Sequence, residues 1–303
     1  MNKAILNNVG NNYAAAILSI ESNGTKNAVD SMVTREGLAD MYHGVTDFLS
    51  TKLKKLTNLF KSETRKMAEE LADGFEDNGR VRELLAMSSD IVKVMKTVRS
   101  LEDYQFLDVP VITGLKSNLH VTSTMLAKAI DGIPASIKAH LIELETITSS
   151  ILVNPDFRLT RQYAFKTAEA TERYTVLHNV ISSTIDPTKY VDRIPLKDVL
   201  PSIASVERIQ QSLLLAVRQV SATSLKDVYK KSDDIDRLVS SIYASSKEHD
   251  YVISKPLLDG FVLYTEAVSK LITAYATVIY IVGGSIDTLQ HAINIIKKHH
   301  KDK

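Results

Sequence analysis

Histidine is where a reaction would show first in this chain, because imidazole exchanges protons near neutral pH and is the commonest metal ligand. Eight are present: His43, His120, His140, His178, His249, His291, His299 and His300. No two stand four residues apart, and there is no H-E-x-x-H, the spacing that sets two imidazoles and a general base around zinc on one helix face. A di-iron bundle asks for Glu-x-x-His on facing helices, and His140 with Glu143 runs in the reverse order. His299 and His300 fall in "KKHHKDK", a charged tail that reads as solvated. Cysteine is absent, which removes thiol catalysis, disulfides, Cys-bound zinc and iron–sulfur clusters together.

Other chemistries fare no better. No G-x-S-x-G occurs, and no sheet is expected that could hold a nucleophile elbow. Neither G-x-x-x-x-G-K-[ST] nor G-x-G-x-x-G is present to cradle a phosphate. Gly283-Gly284 sits inside an apolar helical pattern, where close packing or a kink is its natural use. Carboxylates are plentiful but read as solvated helix faces. The expectation is a protein that is not an enzyme, with no cofactor, no metal and no small-molecule substrate.

The elements that position these residues are helices. Of 303 residues, 44% are hydrophobic, enough for a sizeable core in one large domain or two joined bundles. Eleven Gly and seven Pro are too few for the tight turns of an all-β fold. Leu49, Leu53, Leu56, Phe60, Met67 and Leu71 mark one face of a long helix over 37–73, and Val81, Leu84, Leu85, Ile91, Val92, Met95 and Val98 mark another over 80–101. "DVPVITGLKSNL" then breaks the pattern: Pro110 disfavours helix before it and lacks an N–H, so 109–112 reads as extended. A helix follows from near 116, a corner at Gly132-Ile133-Pro134, and a helix over 135–152. "NPDFRLTRQY" is the clearest start signal, with Asn154 to cap, Pro155 in the first turn and Asp156 at the positive end. That helix is expected to run on through Tyr163, Ala170, Tyr174, Leu177 and Ile181. A second irregular stretch carries Pro187, Pro195 and Pro201, and helices over 202–223, 225–246 and 255–298 complete the chain, the last as one helix or two joined near Gly283. The fold class is therefore all-α: an elongated bundle of long amphipathic helices with two Pro-containing crossovers. Its expected organisation is an arm or short helix over 1–35 and a bundle over 36–303, with a sub-boundary near 185–201.

Two surfaces could do work without chemistry. Lys52, Lys54, Lys55, Lys61 and Lys66 lie opposite a Leu/Phe stripe and are candidate contacts to a membrane surface or phosphates. In the last helix, Leu271, Tyr275, Val278, Val282, Leu289 and Ile293 form a stripe that serves either burial within the chain or a subunit seam. The apolar run over 271–286 falls short of the ~20 residues that span a bilayer. A buried central helix is the better reading, and membrane contact is not expected. Basic and acidic residues number 37 and 36, so any contact with DNA must be local rather than a coat.

The order of features over 15–190 resembles the virion structural proteins of large tailed bacteriophages, often described as internal head proteins. It is carried by Val109-Pro110-Val111, then Thr113-Gly114-Leu115-Lys116, then a helix, then "SSILVNPDFR" opening the next. Ser19, Ile20 and Glu21 resemble the Ser-x-Glu sites cut by head-maturation proteases of such phages, a pattern also met at Ser205-Val206-Glu207 and Ser246-Lys247-Glu248. The resemblance implies a non-enzymatic capsid component, made in the host bacterial cytoplasm and located in the phage head. Its implied partners are other virion proteins or further copies, with local contact to packaged DNA. The competing expectation is a membrane-active or host-interacting helical phage effector.

Overall fold

The computed structural model describes residues 79–98, 101–104, 106–110, 115–160, 163–186, 193–221 and 255–301, with isolated helical positions between 227 and 244. The expected arm over 1–35, the helix over 37–73, the Ser19-Ile20-Glu21 site and the five lysines from Lys52 to Lys66 lie outside the described residues.

Helix α1 spans Gly79–Thr97. A 3-10 turn, Glu102–Tyr104, leads into strand β1, Asp108–Pro110. Helices α2, Leu119–Ile130, α3, Ile133–Val153, α4, Pro155–Thr160, and α5, Thr167–Thr184, follow. Strand β2, Arg193–Pro195, runs into a single helical turn, α6, Leu196–Val199. Helices α7, Ile203–Ser221, and α8, Lys255–Lys301, complete the order. The fold is an all-α bundle, as the periodicity predicts.

Helix α8 is the spine. Its 47 residues make one uninterrupted helix of about 70 Å at 1.5 Å per residue, so Gly283-Gly284 does not divide it. It packs against α1, α2, α3, α5, α7 and β1. A helix enclosed on so many sides is apolar all round where it is covered, and the middle of α8 is: Leu271, Ile272, Ala274, Tyr275, Val278, Ile279, Ile281 and Val282 are all buried. Its buried Thr and Ser hydroxyls need no outside partner. Thr265, Thr277, Ser285 and Thr288 each donate to the carbonyl four residues back, on Phe261, Thr273, Ile281 and Gly284.

The two Pro-containing crossovers meet each other. Strands β1 and β2 pair antiparallel with Asp108 opposite Pro195, Val109 opposite Ile194 and Pro110 opposite Arg193. Each proline sits at a strand end, where its missing N–H costs no ladder bond. The seam extends through Leu196 N–H to Leu107 O (2.7 Å) and Lys116 N–H to Thr184 O (2.9 Å). Val109, Leu196, Val199 and Leu200 pin this ribbon into the core.

Local signals place the helix starts. Asn118 Oδ1 accepts from Val121 N–H (3.0 Å) to cap α2. Gly132 holds φ 71°, the left-handed corner that glycine takes without penalty, immediately before α3. Asn154 Oδ1 accepts from Asp156 N–H (3.0 Å) and Phe157 N–H (3.3 Å), as its position before Pro155 predicts. The helix it starts departs from expectation. Instead of running through Tyr163 to Ile181 it ends at Thr160, and α5 begins at Thr167. The turn between them swings Tyr163 and Phe165 inward, where their rings meet edge to face at 5.0 Å between centroids. Between α7 and α8, the described positions from 227 to 244 are helical, and Lys231 pairs with Glu145 of α3.

Candidate functional site

Among the described residues, a largely buried polar grouping lies where α3, the 163–166 turn, α5 and the first half of α8 converge. Helical spacing puts His140 and Glu143 on one face of α3. Tyr264 reaches them from α8, and Tyr163 and Lys166 from the turn. His140 Nδ1 lies 2.7 Å from the Tyr264 hydroxyl, which lies 3.2 Å from Glu143 Oε2. Tyr163 donates its hydroxyl to Glu143 Oε1 at 2.8 Å, and Lys166 Nζ lies 3.1 Å from Oε2.

Both contacts are hydrogen bonds at once in one arrangement only: a carboxylate accepts, so the single Tyr264 proton points to Glu143 and the Tyr264 oxygen accepts from His140 Nδ1–H. The neutral imidazole therefore carries its proton on Nδ1. That leaves Nε2 as a bare lone pair, and it is buried without a hydrogen-bond partner on a residue that is 2% exposed.

The electrostatics follow from this geometry. Burial holds the His140 pKa below its ordinary value; Glu169 and Glu143 pull it upward, and Lys166 and Arg173 oppose them. Burial alone would push Glu143 up. The bonds from Tyr163, Lys166 and Tyr264, with the Lys166 charge, outweigh that and hold it ionised below the usual carboxylate range. Burial and the neighbouring Glu143 push Tyr264 far above the normal phenol range, so it stays neutral. A phenol held that firmly in its protonated form is a poor acid or base at neutral pH.

Packing locks the group in place. The His140 and Tyr264 rings meet edge to face at 5.6 Å, Phe165 lies 5.9 Å from Tyr264, and Phe157 lies 6.2 Å from Tyr163. Phe165 closes directly on the α8 backbone at Gly260. A Cβ there would stand 2.5 Å and 2.6 Å from two Phe165 ring carbons. The arrangement is an interhelical latch: charges and protons are used among its own members.

Among the described residues, no three His, Asp or Glu side chains group in a way that could hold a metal ion. His140 and Glu143, noted above as a ligand pair in reverse order, instead bond to tyrosines. Of the six candidates for a subunit seam, Leu271, Tyr275, Val278, Val282 and Leu289 are fully buried and Ile293 nearly so within the single chain, the burial that was the other use of this stripe. The helix Asp259–His300 is long and apolar enough to cross a membrane by length and composition, but 78% of its most apolar window is buried inside the fold. Tyr163, Phe165, Lys166 and Tyr264 are the members of the latch that sequence reasoning missed. No family model, curated protein or solved structure matches the chain.

Proposed function

We propose that this chain is a non-enzymatic structural protein of a phage virion, an internal head or capsid-associated component working through helix-mediated contacts with other virion proteins. The observation that carries the non-enzymatic part is that the charged and hydroxyl members of the latch are engaged with one another. Glu143 receives three donors, Tyr264 is kept neutral, and the buried Thr and Ser hydroxyls of α8 bond within their own helix. What remains for contact is the outer surface of the bundle, where Leu85 and Val92, two turns apart on α1, and Leu215 on α7 are exposed. The virion assignment rests on the order of sequence features over 15–190. Host cytoplasm is the place of synthesis and the phage head the destination.

Mass spectrometry of purified particles tests this reading, which expects the protein at stoichiometric copy number in mature heads. Absence from particles overturns it. Dye release from liposomes by a protein absent from particles would favour the membrane-active effector instead. That reading requires α8 to leave its neighbours and present its buried face to lipid.

A further inference from the structure

We propose that His140 is a proton-sensitive release for the latch: protonation of its buried Nε2 frees the first half of α8 from α3 and the 163–166 turn. Geometry carries the argument. His140 Nδ1 already spends its proton on the Tyr264 oxygen, 2.7 Å away. A second proton can land only on Nε2, which is buried and has no acceptor. The new N–H would be an unsatisfied buried donor on a newly charged ring, the costliest state a polar group takes inside a protein. The charges acting most on the ring are Glu143 on its own helix, Glu169 and Arg173 on α5, and Lys166 at the head of α5, while α8 presents the neutral Tyr264. The two acids do not offset the loss of hydration, because both are opposed by nearby cations and Glu143 is already engaged by Tyr163, Lys166 and Tyr264. Escape of the ring to water is the remaining solution, and it requires α3 and α8 to part at Tyr264. The second half of α8 is held separately, by Lys297 on Asp90 of α1.

The sign is set by linkage. Above about pH 6.5, imidazole is neutral in both the latched and the released forms, and the latch is unaffected. Below it the released form binds the proton first, so the opening equilibrium rises about tenfold per pH unit until the latched form's lower pKa is reached.

Hydrogen exchange of the full chain, corrected for intrinsic rates, at about pH 7.5 and about pH 5.5 tests this. The expected result is faster corrected exchange, by at most roughly tenfold, over 136–147 and 257–270 at the lower pH, with 203–221 and 285–296 unchanged. His140→Phe, which keeps a ring but cannot titrate, should abolish the difference. Uniform loss of protection, or an equal difference in His140→Phe, overturns the proposal. Should that variant fail to fold, titration of the His140 ring in the wild-type chain by NMR decides. A midpoint below the ordinary histidine value supports the release, and one at or above it refutes it.

Discussion

Gly260 is where substitution should produce opposite signs in two backgrounds. In a helix interior, Gly→Ala ordinarily stabilises by about 1 kcal/mol, because glycine loses more backbone entropy on folding. Here the added methyl would stand 2.5 Å and 2.6 Å from Phe165 Cε2 and Cδ2. The ring cannot yield freely, being flanked by Tyr163 at 5.0 Å and Tyr264 at 5.9 Å. Overpacking of this kind costs about 1–3 kcal/mol, and each aromatic pair disturbed forfeits roughly 0.5–1.5 kcal/mol. Set against the propensity gain, Gly260→Ala should destabilise by about 1–2 kcal/mol. With Phe165→Ala already present the clash is gone, and the same change should stabilise by about 1 kcal/mol, a coupling of roughly 2–3 kcal/mol. Urea unfolding of the four proteins in the cycle measures it. A stabilised Gly260→Ala single variant, or additive effects, would refute the close approach of Phe165 to α8.

Other perturbations report on the same architecture. Tyr275→Phe should be neutral or stabilising by about 1 kcal/mol in urea unfolding, because the buried Tyr275 hydroxyl has no hydrogen-bond partner. Leu271→Ala, at a fully buried position of α8, should cost about 2–5 kcal/mol by the same assay. Tyr264→Phe keeps the ring contacts but strands His140 Nδ1–H, for a loss of about 1–3 kcal/mol. Glu143 is held below the usual carboxylate range in the folded chain, so its contribution is complete above its unfolded value of about 4.3 and lost as pH falls through the folded one. Glu143→Gln should therefore flatten the acid limb of the stability profile, as followed by urea midpoints across pH.

Spacing alone made much of this fold legible. The apolar stripe of α8, the corner at Gly132 and the Asn154 cap lie where side-chain period and backbone preference place them, since each depends on neighbours within a turn or two. Long-range pairings were not legible. The Pro110 segment read as extended and the Pro187 to Pro201 stretch as irregular, but nothing in either says that Asp108 faces Pro195. The break between α4 and α5 carries no Gly or Pro, so its cause is tertiary: Tyr163 leaves the helix to reach Glu143. The latch was half visible, as His140 and Glu143 on one face of α3. Tyr264, 124 residues from His140, looked like any aromatic in an apolar helix. The stripe of α8 shows the same limit, because a face that is apolar on several sides does not reveal in sequence whether its cover comes from the same chain.

The central claim is that α8 is a spine covered by its own chain. Residue-resolved hydrogen exchange at about pH 7.5 tests it most directly, with protein concentration varied and anionic liposomes added. The account predicts that amides over 271–293 exchange only through global unfolding, at rates independent of concentration and of lipid. Protection of that segment that rises with concentration, or that changes on adding liposomes, would contradict it.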